Sequence, residues 1–256
     1  MYYLRIDDLR MTLLRQVDGV PVFAERNIVP GAFSEVLGEL ASGFKADKLD
    51  VIVSGPMTIV PSEELPADPA DNAAIFNTCF HFIDNTPRYV FSNEIPALRS
   101  HLLFAVKQPT YEAVMKQFAD VPVQFVSSLT PLLRHFADRY DGSSRFRVYV
   151  NCRDRFIDVF VFDGRQLAVI NSFPVSTPAD AVYYILGFSK TVGFAVATTP
   201  YYIVGDSSMV GDLVNHLSRF AGRVSSHTIV DEFGSTPLTV NPHITYDLAA
   251  HVLCAL

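Results

Sequence analysis

The chain has 256 residues, 49% of them apolar and 18% charged, so it contains enough apolar surface for one large or two ordinary domains and is not a disordered chain. Its formal charge of −7 and its lack of clustered Lys and Arg exclude the electrostatic attraction on which binding to nucleic acid or anionic membranes depends. We therefore expect neither as a partner.

Cysteine usage and hydropathy bear on the cellular compartment. Cys79, Cys152 and Cys254 have no metal-ligand spacing and cannot all pair within one chain, which predicts reduced thiols and no metal site. Charged residues follow the N-terminus before any apolar run of signal-peptide length, and no stretch approaches the roughly 18 apolar residues of a membrane span. The sequence thus predicts a soluble, cytoplasmic protein without membrane insertion.

The N-terminal part of the chain predicts three strands, a helix and a fourth strand. Asp18-Gly19 lies between two apolar, β-branched runs, as is typical of a two-residue type I′ hairpin turn. Apolar residues between positions 33 and 40 share the spacing of one helix face. The predicted strands are Tyr3 to Ile6, Arg10 to Val17, Val20 to Ile28 and Asp50 to Gly55.

The middle of the chain predicts an irregular loop and then alternating strands and helices. Pro61 to Asp71 holds three prolines and four acidic residues, which favours a surface loop or mobile insertion. The expected elements that follow are a strand from His101 to Val106, a helix from Tyr111 to Phe118, a strand from Val123 to Val126 and a helix from Leu129 to Phe136. Asp141 to Ser144 is short and polar and predicts a hinge, so we expect domains at residues 1–142 and 143–256.

The C-terminal part repeats the pattern of the N-terminal part. Strands from Val148 to Val150, Phe156 to Phe162 and Gln166 to Phe173 surround a second hairpin dipeptide, Asp163-Gly164, which lies 145 residues after Asp18-Gly19. Thr177-Pro178-Ala179-Asp180 has the residue types of a helix start, and a strand from Tyr201 follows that helix. Further helices are expected near Met209 to Phe220 and Tyr246 to Leu256. This duplication predicts an α/β protein built from two related halves.

A duplicated unit of this order joined by a hinge resembles the actin-like ATPase superfamily, which includes sugar kinases, Hsp70 chaperones, actin and actin-like pilus-assembly proteins. In detail, residues 98–106 with the Tyr111 helix and residues 126–133 look most like an uncharacterised bacterial domain-of-unknown-function family with that fold. The resemblance implies two ribonuclease H-like domains, each with a mixed sheet flanked by helices, and a ligand site in the cleft between them.

The resemblance also implies where a nucleotide would bind, because active members use turns at the strand ends as phosphate loops. The corresponding residues here are Asp7, Asp8, Asn151, Gly205 and Asp206. Glycines let backbone N–H groups approach phosphate, and an acid at a strand end can hold Mg²⁺.

Both phosphate loops depart from the superfamily pattern. Leu9 and Arg10 replace glycine and a small hydroxyl residue in the first loop, and Asn151 replaces the usual Asp in a second loop without glycine. We therefore predict a degenerate nucleotide site with no ATPase activity, no catalytic or metal-binding residue and no cofactor. The alternative is a residual nucleotide-binding ATPase or kinase that uses Asp7 or Asp8 for Mg²⁺ and Gly205 beneath the base; both acids could instead simply end an exposed strand.

Paired tyrosines suggest what a module without ATPase activity would bind. They occur at Tyr2-Tyr3, Tyr183-Tyr184 and Tyr201-Tyr202, and exposed aromatic residues are enriched at protein interfaces. Burial of these rings in the two cores is the default interpretation, and exposure of some of them is the alternative. We expect a protein-binding or scaffold protein that recognises an unidentified protein or peptide and that forms a homodimer.

Overall fold

The computed structural model describes residues 2–17, 20–43, 45–80, 82, 84–205 and 208–254. Its contacts divide the chain into two units, Met1–Pro131 and Leu132–Leu256. This division falls before the hinge expected at residues 141–144, and the domain bounds 1–142 and 143–256 stay predictions.

The first unit contains a five-stranded sheet, a three-stranded sheet and four helices or helix segments. Short 3₁₀ turns lie at Ser62–Glu64 and Pro96–Leu98. The elements are β1 (Tyr2–Ile6), β2 (Arg10–Val17), β3 (Val20–Asn27), α1 (Phe33–Leu40), β4 (Leu49–Val53), β5 (Met57–Pro61), α2 (Pro69–Cys79), β6 (Arg88–Ile95), β7 (Ser100–Lys107), α3 (Gln108–Gln117), β8 (Val123–Ser127) and the start of α4 (Leu129–Ala137).

The second unit contains one five-stranded sheet with helices around it. Among the described residues of the whole chain, no helix is long and apolar enough to cross a membrane. The elements are β9 (Phe146–Arg153), β10 (Phe156–Asp163), β11 (Gln166–Pro174), α5 (Pro178–Val192), β12 (Pro200–Gly205), α6 (Met209–Leu217), β13 (Arg223–Ser226), α7 (Ile229–Phe233) and α8 (Tyr246–Cys254).

The two five-stranded sheets have the same strand order, which confirms the predicted duplication and the α/β fold class. The orders are β3-β2-β1-β4-β8 and β11-β10-β9-β12-β13. In each sheet the first three strands pair antiparallel and the last three pair parallel. All five residues of β4 are buried, as expected of a parallel strand that is covered on both faces.

The three-stranded sheet, in the order β5-β7-β6, has no counterpart among the described residues of the second unit and was only partly predicted. The strand at residues 101–106 is confirmed. The expected surface loop at Pro61 to Asp71 is exposed over most of its length, but a 3₁₀ turn at Ser62–Glu64 and the start of α2 at Pro69 occupy part of it. Asp68 caps α2 by accepting a hydrogen bond from the Ala70 N–H at 2.9 Å, and Pro69 takes the first helical position. One of the three prolines, Pro69, therefore starts a helix.

The predicted start of helix α5 is confirmed in detail. The Thr177 hydroxyl accepts a hydrogen bond from the Asp180 N–H at 3.2 Å, and the Asp180 carboxylate accepts one from the Thr177 N–H at 2.9 Å. This reciprocal capping box satisfies two donors that a helix N-terminus otherwise leaves unpaired.

The second hairpin turn differs from its prediction by one residue. Asp163 is the last residue of β10 and pairs with Gln166, so Gly164 and Arg165 form the turn, with Gly164 at φ 59°. Arg145 holds Asp163 in the strand through two hydrogen bonds of 2.7 Å each. Asp18 and Gly19, the first predicted turn, lie outside the described residues, although Val17 and Val20 on either side pair in the antiparallel register.

Two different sets of helices cover the two faces of the second sheet. On one face, α5 and α6 pack on the buried apolar side chains of β9, β10 and β12. On the other face, Phe136 of α4 stacks on Tyr149 of β9 at 4.3 Å, and Tyr246 of α8 lies beside Phe136 at 6.3 Å. The second half of α4 therefore belongs to the core of the second unit.

Candidate functional site

The carboxyl ends of the parallel strands are the candidate site in each unit, because ligands of open α/β sheets bind outside these ends. In the first unit, the residues after β1, β4 and β8 meet there. The Ser54 N–H donates to the Ile6 carbonyl at 3.3 Å, and the Ser54 hydroxyl lies 3.3 Å from that of Ser128. This serine pair was not predicted, because nothing in the spacing of positions 54 and 128 relates them.

Asp7, the first predicted site residue, binds its own turn. Its Oδ1 atom accepts hydrogen bonds from the N–H groups of Leu9 at 2.8 Å and Arg10 at 2.7 Å, and its Oδ2 atom pairs with the Arg5 guanidinium. Burial by itself raises the pKa of Asp7, but Arg5 and the two N–H groups outweigh burial and hold that pKa below its ordinary value. Asp7 is therefore an ionised carboxylate whose two oxygens are both in use.

This arrangement bears on whether a nucleotide fits the first loop. Phosphate cradling requires backbone N–H groups that point at the ligand. Here the N–H groups of Leu9 and Arg10 already donate to a carboxylate of the same chain, so they do not fit that role. Asp8 is exposed and makes no ion pair or hydrogen bond with the described residues. It is the carboxylate of this loop that remains accessible.

Asn151 in the second unit lies in a buried polar network. Its side-chain N–H donates to Asp158, its cross-strand partner on β10, at 2.9 Å. Asp158 has 0% of its surface exposed and also accepts two hydrogen bonds from Arg153, at 2.9 and 2.7 Å, and one from Ser172 at 2.6 Å. The planar guanidinium group of Arg153 thus donates one hydrogen bond to each oxygen of the Asp158 carboxylate. Asn151 therefore contributes to strand pairing through its amide N–H.

Gly205 lies next to Asn151, since β12 pairs with β9 so that Val204 faces Asn151 and Gly205 faces Cys152. Gly205 has φ 123°, a conformation that side-chain-bearing residues rarely adopt. A Cβ atom at this position would come within 2.7 Å of the Cys152 backbone nitrogen. The close approach of two strands thus accounts for this glycine. Asp206, the remaining predicted site residue, lies outside the described residues.

Among the described residues, no group of three or more His, Cys, Asp or Glu side chains has the arrangement of a metal site. The structure brings Asn151 and Gly205 to one end of the second sheet, and it places Asp7 and Asp8 at the corresponding end of the first. The network partners Asp158 and Ser172 were not predicted, because only the hairpin register shows that they meet Asn151.

Comparison with known proteins identifies the fold and a family. A family model described as a protein of unknown function, DUF3822, matches residues 43–224. A crystal structure from Bacteroides thetaiotaomicron, described as having an actin-like ATPase fold and unknown function, shares 19% identity at a TM-score of 0.74; the match covers 88% of this chain and 90% of that one. The expected actin-like ATPase fold is therefore confirmed.

A second solved structure, described as the PilM-PilN type IV pilus biogenesis complex, shares 12% identity at a TM-score of 0.61. The match covers 99% of this chain and 97% of that one. No curated protein matches the chain. These likenesses define the fold and leave the activity to be inferred from the residues.

We predict that Asp7 and Asp8 differ in their contribution to stability. Asp7→Ala should lower the free energy of unfolding by about 1–2 kcal/mol, because two turn N–H groups lose their acceptor. Asp8→Ala, the matched control, should change it by less than about 0.5 kcal/mol. Urea unfolding at several pH values measures both.

The effect of Asp7 should also depend on pH in a defined direction. Because its folded-state pKa is lowered, its stabilisation is fully present above the unfolded-state value of about 4 and is lost as the pH falls through the folded-state pKa. The difference between wild type and Asp7→Ala should therefore shrink on acidification. Equal stability of the two alanine variants at neutral pH would contradict the role assigned to Asp7.

We predict that Gly205→Ala destabilises the second unit by about 1–3 kcal/mol or more, because a Cβ atom meets the Cys152 backbone and the φ angle is unfavourable. Gly211→Ala in α6 is the control: a Cβ atom there has no neighbour within 4 Å. It should stabilise the protein by up to about 1 kcal/mol. Thermal unfolding of both variants measures the effects, and a neutral Gly205→Ala would contradict the packing explanation.

Proposed function

The chain belongs to the DUF3822 family, whose members are described as proteins of unknown function, and from this premise we propose an actin-like module that does not hydrolyse ATP and acts by binding a protein or peptide. No cofactor takes part in this function. The observation that carries the proposal is the use of the Leu9 and Arg10 N–H groups by the Asp7 carboxylate. A triphosphate would have to displace that carboxylate and would meet its charge.

The second loop supports the same proposal. It has no glycine, and its polar side chains Asn151 and Arg153 are directed to Asp158. Binding a phosphate there with Arg153 would remove the bidentate partner of a fully buried carboxylate, and an unpaired buried charge is strongly unfavourable. A phosphate and the Asp158 carboxylate would therefore compete for the same N–H groups of Arg153.

A protein partner is supported by a relative and by the surface of α5. The solved structure of similar fold described as the PilM-PilN complex contains two proteins bound together. In this chain, Tyr3 and Tyr201 of the paired tyrosines are buried, whereas Tyr183 is 75% exposed and touches Tyr184 edge to face. We propose that a second copy of the chain is one partner and that Tyr183 contacts it.

The proposed location is the cytoplasm. Cys79, Cys152 and Cys254 are all free, as expected where thiols are kept reduced. The second candidate function is residual nucleotide binding, which the exposed Asp8 carboxylate favours because it remains able to hold Mg²⁺.

Nucleotide binding is tested by thermal shift with ATP, ADP and Mg²⁺. We expect the melting temperature to stay within about 1 °C at millimolar nucleotide, since a ligand that binds the folded state would raise it. Phosphate release should equal that of buffer. A saturable, Mg²⁺-dependent rise that Asp8→Ala removes would establish the nucleotide-binding alternative instead. Asp84→Ala, at an exposed acid outside this loop, is the control and should retain the rise.

Self-association is tested by light scattering at micromolar concentration. We expect a mass above that of one chain, and Tyr183→Ser should shift the protein toward monomer by weakening association about tenfold or more, as loss of an aromatic interface residue commonly does. Phe220→Ser is the matched control, because Phe220 is a second exposed aromatic residue of this unit, 55% accessible. A strict monomer in the wild type would contradict the homodimer but not the absence of ATP hydrolysis.

A further inference from the structure

A pocket of about 150 Å³ lies wholly within the second unit, where α4, α7 and α8 meet the face of β9 and β12. Its lining includes Val204, the strand partner of Asn151, and Asp141, whose Oδ1 atom accepts a hydrogen bond from the Ser143 N–H at 2.8 Å. The other side chains on which the argument depends are Phe136, Arg139, Tyr149, Tyr202, Glu232 and Tyr246.

The apolar wall of the pocket is a stack of aromatic rings. Phe136 and Tyr149 are 4.3 Å apart and nearly parallel at 9°, and Tyr149 and Tyr202 are 4.9 Å apart at 22°. A dry cavity of similar volume in another protein accommodates a benzene molecule. Size and lining therefore fit one aromatic ring.

The polar wall contains a carboxylate that the protein itself satisfies. The Glu232 side chain is 5% exposed; its Oε1 atom accepts a hydrogen bond from His135 Nε2 at 2.8 Å and also pairs with the Arg139 guanidinium. Its Oε2 atom lies 3.6 Å from His227 Nδ1. A ligand therefore does not need to bring a cation to balance this charge.

Two donors of the pocket retain capacity for a ligand. Tyr246 is 1% exposed, and its hydroxyl has no hydrogen-bond partner among the described residues. Burial, and then the charge of Glu232, raise the pKa of Tyr246, so this hydroxyl stays protonated. Arg139 has five N–H donors and pairs with Glu232 alone in the described structure, while 41% of its side chain is exposed. Both groups are hydrogen-bond donors and therefore favour a ligand with acceptor oxygens.

We propose that this pocket binds a small carboxylate that carries one aromatic ring and a ring oxygen. The ring packs against Phe136 and Tyr202, the carboxylate takes the open N–H groups of Arg139, and the ring oxygen accepts the hydrogen bond of Tyr246. Arginine is suited to this because its planar fork donates two parallel hydrogen bonds to a carboxylate.

The proposal is tested by calorimetric titration with 4-hydroxybenzoate and with 4-hydroxybenzamide, which has the same shape without the charge. We expect a dissociation constant of about 0.1–1 mM for the acid and at least about tenfold weaker binding of the amide. Arg139→Lys should weaken binding of the acid about fivefold or more, because lysine cannot donate two parallel hydrogen bonds to the carboxylate. Tyr246→Phe should weaken it about fivefold, because the hydroxyl donor is lost.

Arg219→Lys, an exposed arginine outside the pocket, is the control and should leave affinity unchanged. Circular dichroism of each variant shows whether it is folded, and both substitutions keep the bulk of the side chain. Absence of saturable binding up to about 5 mM acid, equal affinity for acid and amide, or indifference to both substitutions would overturn the proposal. The assay contains no nucleotide, so its outcome is independent of the thermal-shift test.

Discussion

Each unit depends on one strand, β1 or β9, that pairs antiparallel on one side and parallel on the other. The parallel side brings three strand ends to one edge of the sheet, and the antiparallel side places a hairpin turn at that same edge. In the first unit this geometry gathers Asp7, Ser54 and Ser128; in the second it gathers Asn151 and Gly205. Whether this end of the sheet can bind a ligand then depends on which groups its side chains already bind.

Three carboxylates of the chain are bound by other residues of the same unit. Asp7 and Asp158 each accept several hydrogen bonds from residues of their own unit, and Glu232 accepts one from His135 and pairs with Arg139. Desolvation of a carboxylate is unfavourable unless partners satisfy its oxygens, so the three groups fix the local conformation around them. Internal pairing of this kind stabilises the fold and at the same time removes donors from ligand binding.

Much of the fold was predictable because its strands and helices have clear hydrophobic periodicity, as in β10, α5 and the β7 strand. Helix α2 was missed because its apolar residues do not form one stripe and because the prolines at and before its start favour a loop interpretation. Strand β5 was missed because it is short. The site was less predictable. Asn151 was found by resemblance, but its partner Asp158 is known only from the hairpin register, and Tyr246 and Arg139 meet through helix packing that no local pattern encodes.

The three-stranded sheet of the first unit is inserted between β4 and β8, whereas the equivalent strands β12 and β13 are joined by a short connection that contains α6. The entropic cost of closing a loop grows only with the logarithm of its length. Lengthening such a connection fourfold therefore lowers the free energy of unfolding by only about 1.2 kcal/mol. A connection between parallel neighbours is therefore a place where one copy of a duplicated unit can acquire a whole subdomain while its strand order persists. This small cost is consistent with two sheets that share one strand order although the connection between β4 and β8 is far longer than the connection between β12 and β13.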